Sequence, residues 1–316
     1  NGQIGTPLMC DVKINIAIQT YNRACSLKEF FISNSWVLDN ENYNVVILDN
    51  ASTDETLKFC KEMTSRYTNI KFISNEVHVT AEENVKRAFR LRLGGHLWVM
   101  GDRYRISKTH AELLVDVSRE SANDLLLLSL NNYKNKDNKC IVRPEHVILN
   151  KNIMLAASCI STGIYPQSLI EFAENELACH DSTFPQTYVI VRALIAGRCV
   201  KYLPKISVHS SSGDVNWAYT SNWIKIGFVG WFKLIDSIIP RDHPKIHQAY
   251  RAFPTNTSLG SFRGAIKRRM MNVINFNDIR QQRFNLIKGV GVIRFVIIAL
   301  ISTLPLNKIG KIFKMA

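Results

Sequence analysis

Between residues 14 and 130 the chain alternates short apolar runs with amphipathic segments, and few folds satisfy that alternation. The runs are INIAIQ, NVVILD, IKFIS, HLWVM and LLLLSL, and helix-like stretches at 25–38, 53–66, 80–93 and 108–119 lie between them. Short apolar runs predict strands buried on both faces; longer segments with apolar residues three and four apart predict helices. Together they predict an α/β fold, a mostly parallel sheet flanked by helices. Such sheets bind ligands beyond the carboxyl ends of their strands, so the residues directly after each run are the ones to interrogate.

With 316 residues, 46% of them hydrophobic, the chain can bury a full core and carry an appendage, which excludes a disordered or fibrous chain. NGQIGTPL has no periodicity, so residues 1–8 are expected to be a remnant outside the fold. No charged leader with an apolar stretch and a small-residue cleavage site follows Met9, which predicts a cytoplasmic chain. Seven cysteines, odd in number and never in a C-x-x-C pair, favour reduced thiols over a zinc site or a disulfide framework. Charge divides the chain. Residues 1–224 hold 24 Lys and Arg against 23 acids, whereas 225–316 hold sixteen against three. The expected organisation is a near-neutral domain over 9–215 and a basic helical region over 216–316.

The first run is followed by TYNR (20–23) and the second by DNASTD (49–54), where Ser52 or Thr53 can cap a helix with Asp54 and Glu55 in its first turn. Taken alone, that is equally a plain helix start. The fourth run ends at Gly101 and Asp102, which places a carboxylate at a sheet edge, and then continues Arg103, Tyr104, Arg105.

In their order and spacing, INIAIQTYNRACSLKEFF, VVILDNASTDET and HLWVMGD resemble the donor-binding half of the family 2 glycosyltransferases, which have a GT-A fold. The resemblance covers residues 12–130 and extends through STGIYPQSL and FPQTYVIVRALIAG to about 209, in the style of the abequosyltransferase-like branch of O-antigen enzymes. It implies a donor-nucleotide half over 9–130 and an acceptor half over 131–215. Thr20, Tyr21 and Asn22 would line the nucleotide pocket, Asp49 would accept from base or ribose, and Arg23 would reach a phosphate. Gln19 stands where relatives have proline. In NEVHVTAEEN, His78 falls near a usual glycine and reads as a loop residue.

Relatives carry two or three acids after the fourth strand to hold a divalent ion. Here Asp102 alone remains, a thin ligand set for Mg2+ or Mn2+, with His209 a second ligand if a metal is kept. Arg103 and Arg105 are read as cations that meet the departing diphosphate in the metal's place. Two other readings stay open: solvated arginines, and a site that no longer transfers sugar. Counting back from Arg192 and Gly197, the acids that usually hold the catalytic base fall at Pro185 and Gln186, which take no proton. Asp181, beside His180 and downstream of Glu176, is then the first candidate base.

In the basic region, NWIKIGFVGWFKLIDSII repeats Ile224, Phe228, Trp231, Ile235 and Ile238 at helical spacing. Trp beside Lys favours an interfacial membrane helix over a buried one. GVGVIRFVIIALIST (289–303) is short of the roughly 20 residues that span a bilayer, so it is expected to lie on an anionic membrane surface. No nucleic-acid motif accompanies the charge. The sequence thus predicts transfer from a nucleotide-sugar donor to a lipid-linked or surface glycan at the inner membrane face, or else a decayed nucleotide- or glycan-binding scaffold there.

Overall fold

The computed structural model describes residues 13–38, 40–130, 141–142, 151–178, 183–210 and 223–239, and, further on, 244, 247–248, 254, 260–271 and 274–305. The chain divides into two compact units, the first over 1–181 and 185–211, the second over 182–184 and 212–316.

The first unit opens with β1 (Ile14–Thr20), α1 (Ala24–Ser33), β2 (Tyr43–Asp49), α2 (Thr56–Arg66), β3 (Ile70–Ser74), α3 (Ala81–Phe89) and β4 (His96–Gly101). The first three strands and β4 pair in parallel in the order β3-β2-β1-β4. Register fixes where they end: Thr20 lies opposite Asp49, Asp49 opposite Ser74, and Gln19 opposite Gly101. Four strands therefore finish along one edge, and the segments that follow them converge there.

Continuous apolar runs suit these strands because both faces are covered. Residues 96–100 of β4 are all buried, and Trp98 is fully so; burying a side chain of that size contributes roughly 2–3 kcal/mol. Helix α1 turns Ala24, Leu27, Phe30 and Phe31 inward at a spacing of three and four. Helix α3 starts where a side chain satisfies an orphan N–H: the Thr80 hydroxyl accepts from the Glu83 N–H at 3.2 Å, with Glu82 and Glu83 in its first turn.

The unit continues with β5 (Tyr104–Arg105), α4 (Lys108–Glu120), β6 (Leu125–Leu130), β7 (Ile141–Val142), α5 (Lys151–Ser158), β8 (Gly163–Tyr165), α6 (Gln167–Ala178), α7 (Pro185–Ile195) and β9 (Val200–Ser210). In α4, Ala111, Leu114, Val115 and Ser118 face inward, and the Ser107 hydroxyl caps it. The sheet runs β3-β2-β1-β4-β8-β6-β9-β5, with β7 on β9. Mixed α/β with a flanked, mostly parallel core agrees with the expected GT-A class, but β6 does not join β4. The three-residue β8 sits between them, antiparallel to both.

The second unit is helical: a π-helical segment (Lys225–Gly230), α8 (Trp231–Ile238), α9 (Phe262–Met270), α10 (Phe276–Gln281), α11 (Arg283–Val290) and α12 (Val292–Thr303). Here one expectation is corrected. Ile224, Phe228, Trp231, Ile235 and Ile238 are all buried, so that stripe is core and not a bilayer-facing surface. Trp223 packs edge-on against Phe228 and Trp231 against Phe184, and the fully buried Arg268 guanidinium lies 4.0 Å over the Trp223 ring. A helix buried in protein and one buried in lipid need the same apolar period. Helices α11 and α12 break at Gly291, whose φ of 80° suits glycine. On α12, Ile298 and Ile301 are buried while Val292, Ile293, Val296 and Leu300 are exposed. Among the described residues no helix is long and apolar enough to cross a membrane.

Candidate functional site

The segments after β1, β2 and β4 are stitched together by their own polar groups. Asn22 adopts the left-handed region at φ 49°, which asparagine tolerates. Its N–H donates to the Ser52 hydroxyl at 2.8 Å, and its Oδ1 accepts from the Thr53 N–H at 2.7 Å. Asp54 accepts from the Ala24 N–H at 3.3 Å and from the Thr56 N–H at 3.0 Å, holding the first residues of α1 and α2 with one carboxylate. Desolvation opposes its charge, but hydrogen bonds from Thr56 and Ala24 keep its carboxyl below the usual range.

Asp49, the carboxylate expected to accept from base or ribose, is held by donors of the protein. It is fully buried, and its carboxylate accepts from the Ser52 N–H at 3.0 Å, from the Ser52 hydroxyl, and from the Ser74 hydroxyl at 2.8 Å. Three donors from the protein leave little acceptor capacity. Asn50, also buried, organises the next loop. Its amide donates to the Val79 carbonyl at 2.8 Å and accepts from Asn75 at 2.8 Å and the Val79 N–H at 3.0 Å. That loop brings the exposed His78 ring onto the exposed Tyr21 ring, with centroids 4.1 Å apart. His78 read only as a loop residue in the sequence; the contact spans 57 positions and no local signal announces it.

At the end of β4 the Asp102 carboxylate is buried, 3% exposed. One oxygen accepts from the Thr20 hydroxyl at 3.2 Å, the other from Arg23 Nη1 at 3.2 Å. Burial pushes its carboxyl above the ordinary range, against the opposing pull of Arg23, the Thr20 hydroxyl and Arg103. The Arg23 side chain is 47% exposed. Structure thus brings Thr20, Arg23, Asp102 and Arg103 together. Gly101 has a steric reason: a Cβ there would come within 3.2 Å of the Tyr104 ring. The fully buried Asn34, which sequence reasoning passed over, fixes the strand beyond. Its amide donates to the Tyr104 carbonyl at 3.1 Å and accepts from the Ile106 N–H at 3.0 Å.

Arg105 is exposed and lies opposite His209 across β5 and β9. Burial, then the nearby Arg105 and His110, pull the His209 imidazole below its ordinary value. A cationic neighbourhood of that kind disfavours a metal ligand. A divalent ion would also find both Asp102 oxygens taken and guanidinium charge beside them. Among the described residues no group of three His, Cys, Asp or Glu side chains is placed to hold a metal. The described residues at this strand end do not fit Mg2+ or Mn2+.

On the acceptor side, Asp181 and His180 lie outside the described residues. Glu176 accepts from Arg192 Nε at 2.9 Å and Nη2 at 3.1 Å, and from the Tyr188 hydroxyl at 2.8 Å. Gln186 is buried and donates to the Ser158 carbonyl at 3.1 Å.

Residues 15–170 match the family model described as Glycosyl transferase family 2. No curated protein matches the chain. Among solved structures, S. aureus TarS 1–349 is similar at 14% identity, with 96% of this chain and 91% of that chain covered and a TM-score of 0.57. The same fragment in complex with UDP-GlcNAc gives 13% identity, coverage of 96% and 92%, and 0.54. The mannosyltransferase PcManGT from Pyrobaculum calidifontis, in complex with GDP-Man and Mn2+, gives 11%, 92% and 86%, and 0.55. The family match thus runs from β1 into α6, and the solved structures share the fold of the chain.

Proposed function

We propose that this chain transfers a sugar from a nucleotide-sugar donor to a hydroxyl of a lipid-linked or surface glycan, in lipopolysaccharide, O-antigen or capsule assembly. The observation that carries this is the convergence of Thr20, Tyr21, Asn22 and Arg23 with Asp102 at the carboxyl edge of β1 and β4. Solved structures of the same fold bind UDP-GlcNAc and GDP-Man, which supports a nucleotide-sugar donor. The stacked Tyr21 and His78 rings offer a base an aromatic wall. With Asp49 occupied by Ser52 and Ser74, its part is to shape the loop that presents them.

Chemically, the acceptor oxygen gives up its proton to Asp181 or a neighbour and attacks the anomeric carbon through an oxocarbenium-like transition state. The nucleoside diphosphate leaves from the opposite face, so configuration inverts. Positive charge at Arg23, Arg103 and Arg105 meets the charge that develops on the leaving group. The second unit carries a basic surplus in its sequence and exposed apolar residues on α12, a combination suited to an anionic membrane surface at the cytoplasmic face. Ile293→Asp with Leu300→Asp should release the protein from anionic vesicles and leave turnover of a soluble acceptor analogue intact. Retention on the vesicles would remove α12 from the contact.

The test of transfer itself is a panel of UDP-, GDP-, CDP- and dTDP-sugars, following nucleotide release with and without acceptor glycans. Release that depends on an acceptor is the expected result. One observation favours a second reading, a nucleotide- or glycan-binding scaffold: Gln186, where a base is usual, cannot take a proton and is tied to Ser158. Donor binding without release under any acceptor would select it.

A further inference from the structure

A carboxylate at the end of β4 on this fold is expected to recruit a cation, and in this chain it already holds one. Asp102 is almost completely buried, while Arg23, bound to it at 3.2 Å, keeps 47% of its side chain exposed. A guanidinium carries five N–H donors in a planar fork. Asp102 engages Nη1, so the fork is anchored from beneath and has donors to spare for oxygens arriving from solvent. The backbone is anchored as well: the Arg23 N–H donates to the Thr56 hydroxyl at 3.2 Å, and Thr20 fixes the second Asp102 oxygen. Arg103 adds a second positive charge beside the same carboxylate. One acid between two arginines leaves a net positive site, which attracts a diphosphate and repels a free divalent ion.

We propose that Arg23, positioned by Asp102 and Thr20, binds the diphosphate of the donor in place of a metal ion, so that nucleoside diphosphate binding needs no divalent cation. This rests on the nucleotide-sugar reading above. It assigns Asp102 a positioning role, holding the arginine where relatives' acids hold an ion. It also divides the arginines: Arg23 is fixed to the buried acid from the β1 side, whereas Arg105 lies on β5 opposite His209.

The experiment is calorimetric titration of UDP, GDP, CDP and dTDP into the full chain, in EDTA and in Mn2+, for the native protein, Arg23→Ala, Arg23→Lys and Asp102→Asn. Far-ultraviolet dichroism and melting temperature serve as checks on folding. The native protein should bind one of the nucleotides in EDTA with an affinity within about twofold of that in Mn2+. Loss of one charge-assisted contact should weaken binding about 10- to 100-fold in Arg23→Ala. Arg23→Lys should recover part of that, since charge is kept and the fork is lost. Asp102→Asn should weaken binding less than Arg23→Ala and still show no Mn2+ dependence. Binding that disappears in EDTA and returns with Mn2+ would overturn the proposal and leave the nucleotide-sugar reading standing. Unchanged affinity in a folded Arg23→Ala would also overturn it. Binding of none of the four nucleotides under either condition would overturn the reading on which it rests, and the proposal with it.

Discussion

Two of the arginine–carboxylate pairs in the first unit are of opposite character. Glu176 and Arg192 meet through two bonds, 2.9 and 3.1 Å, with the Tyr188 hydroxyl on the same carboxylate, and the two side chains are similarly sheltered at 24% and 33% exposure. Arg23 and Asp102 meet through one bond of 3.2 Å, and the acid is buried while the arginine is half open to solvent. In the first pair each partner satisfies the other, so its free energy goes into holding α6 against α7. In the second the carboxylate is served and the guanidinium is not. An ion pair with unspent donors at the end of a strand is a receptor, and a closed one is a brace.

If that contrast is right, substitutions at the two pairs separate function from stability. Largest should be Arg23→Ala, expected to lower sugar transfer on the order of 10²-fold or more with the melting temperature little changed, because a preorganised cation is lost from the developing charge. Arg103→Ala and Arg105→Ala in the same assay rank the three arginines; a greater loss at Arg105 would break the contrast. Glu176→Gln should do the reverse. Denaturant unfolding should report a loss of about 1–3 kcal/mol, moderated by solvent screening, while nucleotide affinity stays unchanged.

Two acids sharpen the comparison through pH. Asp54 titrates below its unfolded value, so its ionisation stabilises the fold at neutral pH, and that contribution is lost as pH falls through the folded value. Asp102 titrates above its unfolded value, so its ionisation costs stability at neutral pH, and the cost disappears on acidification. Asp54→Asn should therefore lower the melting temperature at pH 7 and Asp102→Asn should raise it, both differences closing towards low pH. A melting temperature lowered by Asp102→Asn would make that acid a brace like Glu176. The smallest effect is expected at Ala51, held at φ 62° in the loop after β2. Ala51→Gly relieves an unfavourable backbone and should stabilise the protein by up to about 1 kcal/mol in the same unfolding assay.

How much of this was legible in the sequence follows from the range of the interactions. The strands, the helix-like stretch that becomes α3 and the converging strand ends are set by local period, and the sequence displays them directly. Asp102 was legible as the acid at the end of an apolar run. Its partner was not: Arg23 is 79 positions away, and only the parallel pairing of β1 with β4 brings the two together. The same holds for Asn34, which reaches 70 positions to Tyr104, and for β8, three residues whose apolar character gives no clue that they divide β4 from β6. Asp49 was legible as a carboxylate after a strand, but its partners were not: Ser74 lies 25 positions away and meets it only through the pairing of β2 with β3. The Trp231 stripe misled because burial in protein and in lipid share one helical period.

The most direct test is amide hydrogen exchange on the full chain with and without the nucleoside diphosphate that binds best. If the edge of β1 and β4 is the donor site, protection should rise at residues 20–24, 50–56 and 75–80, the loops tied together by Asn22, Asn50 and Asp54, and stay unchanged across 170–195 around Glu176 and Arg192. Protection confined to 170–195, with the strand-end loops exchanging as before, would contradict the account.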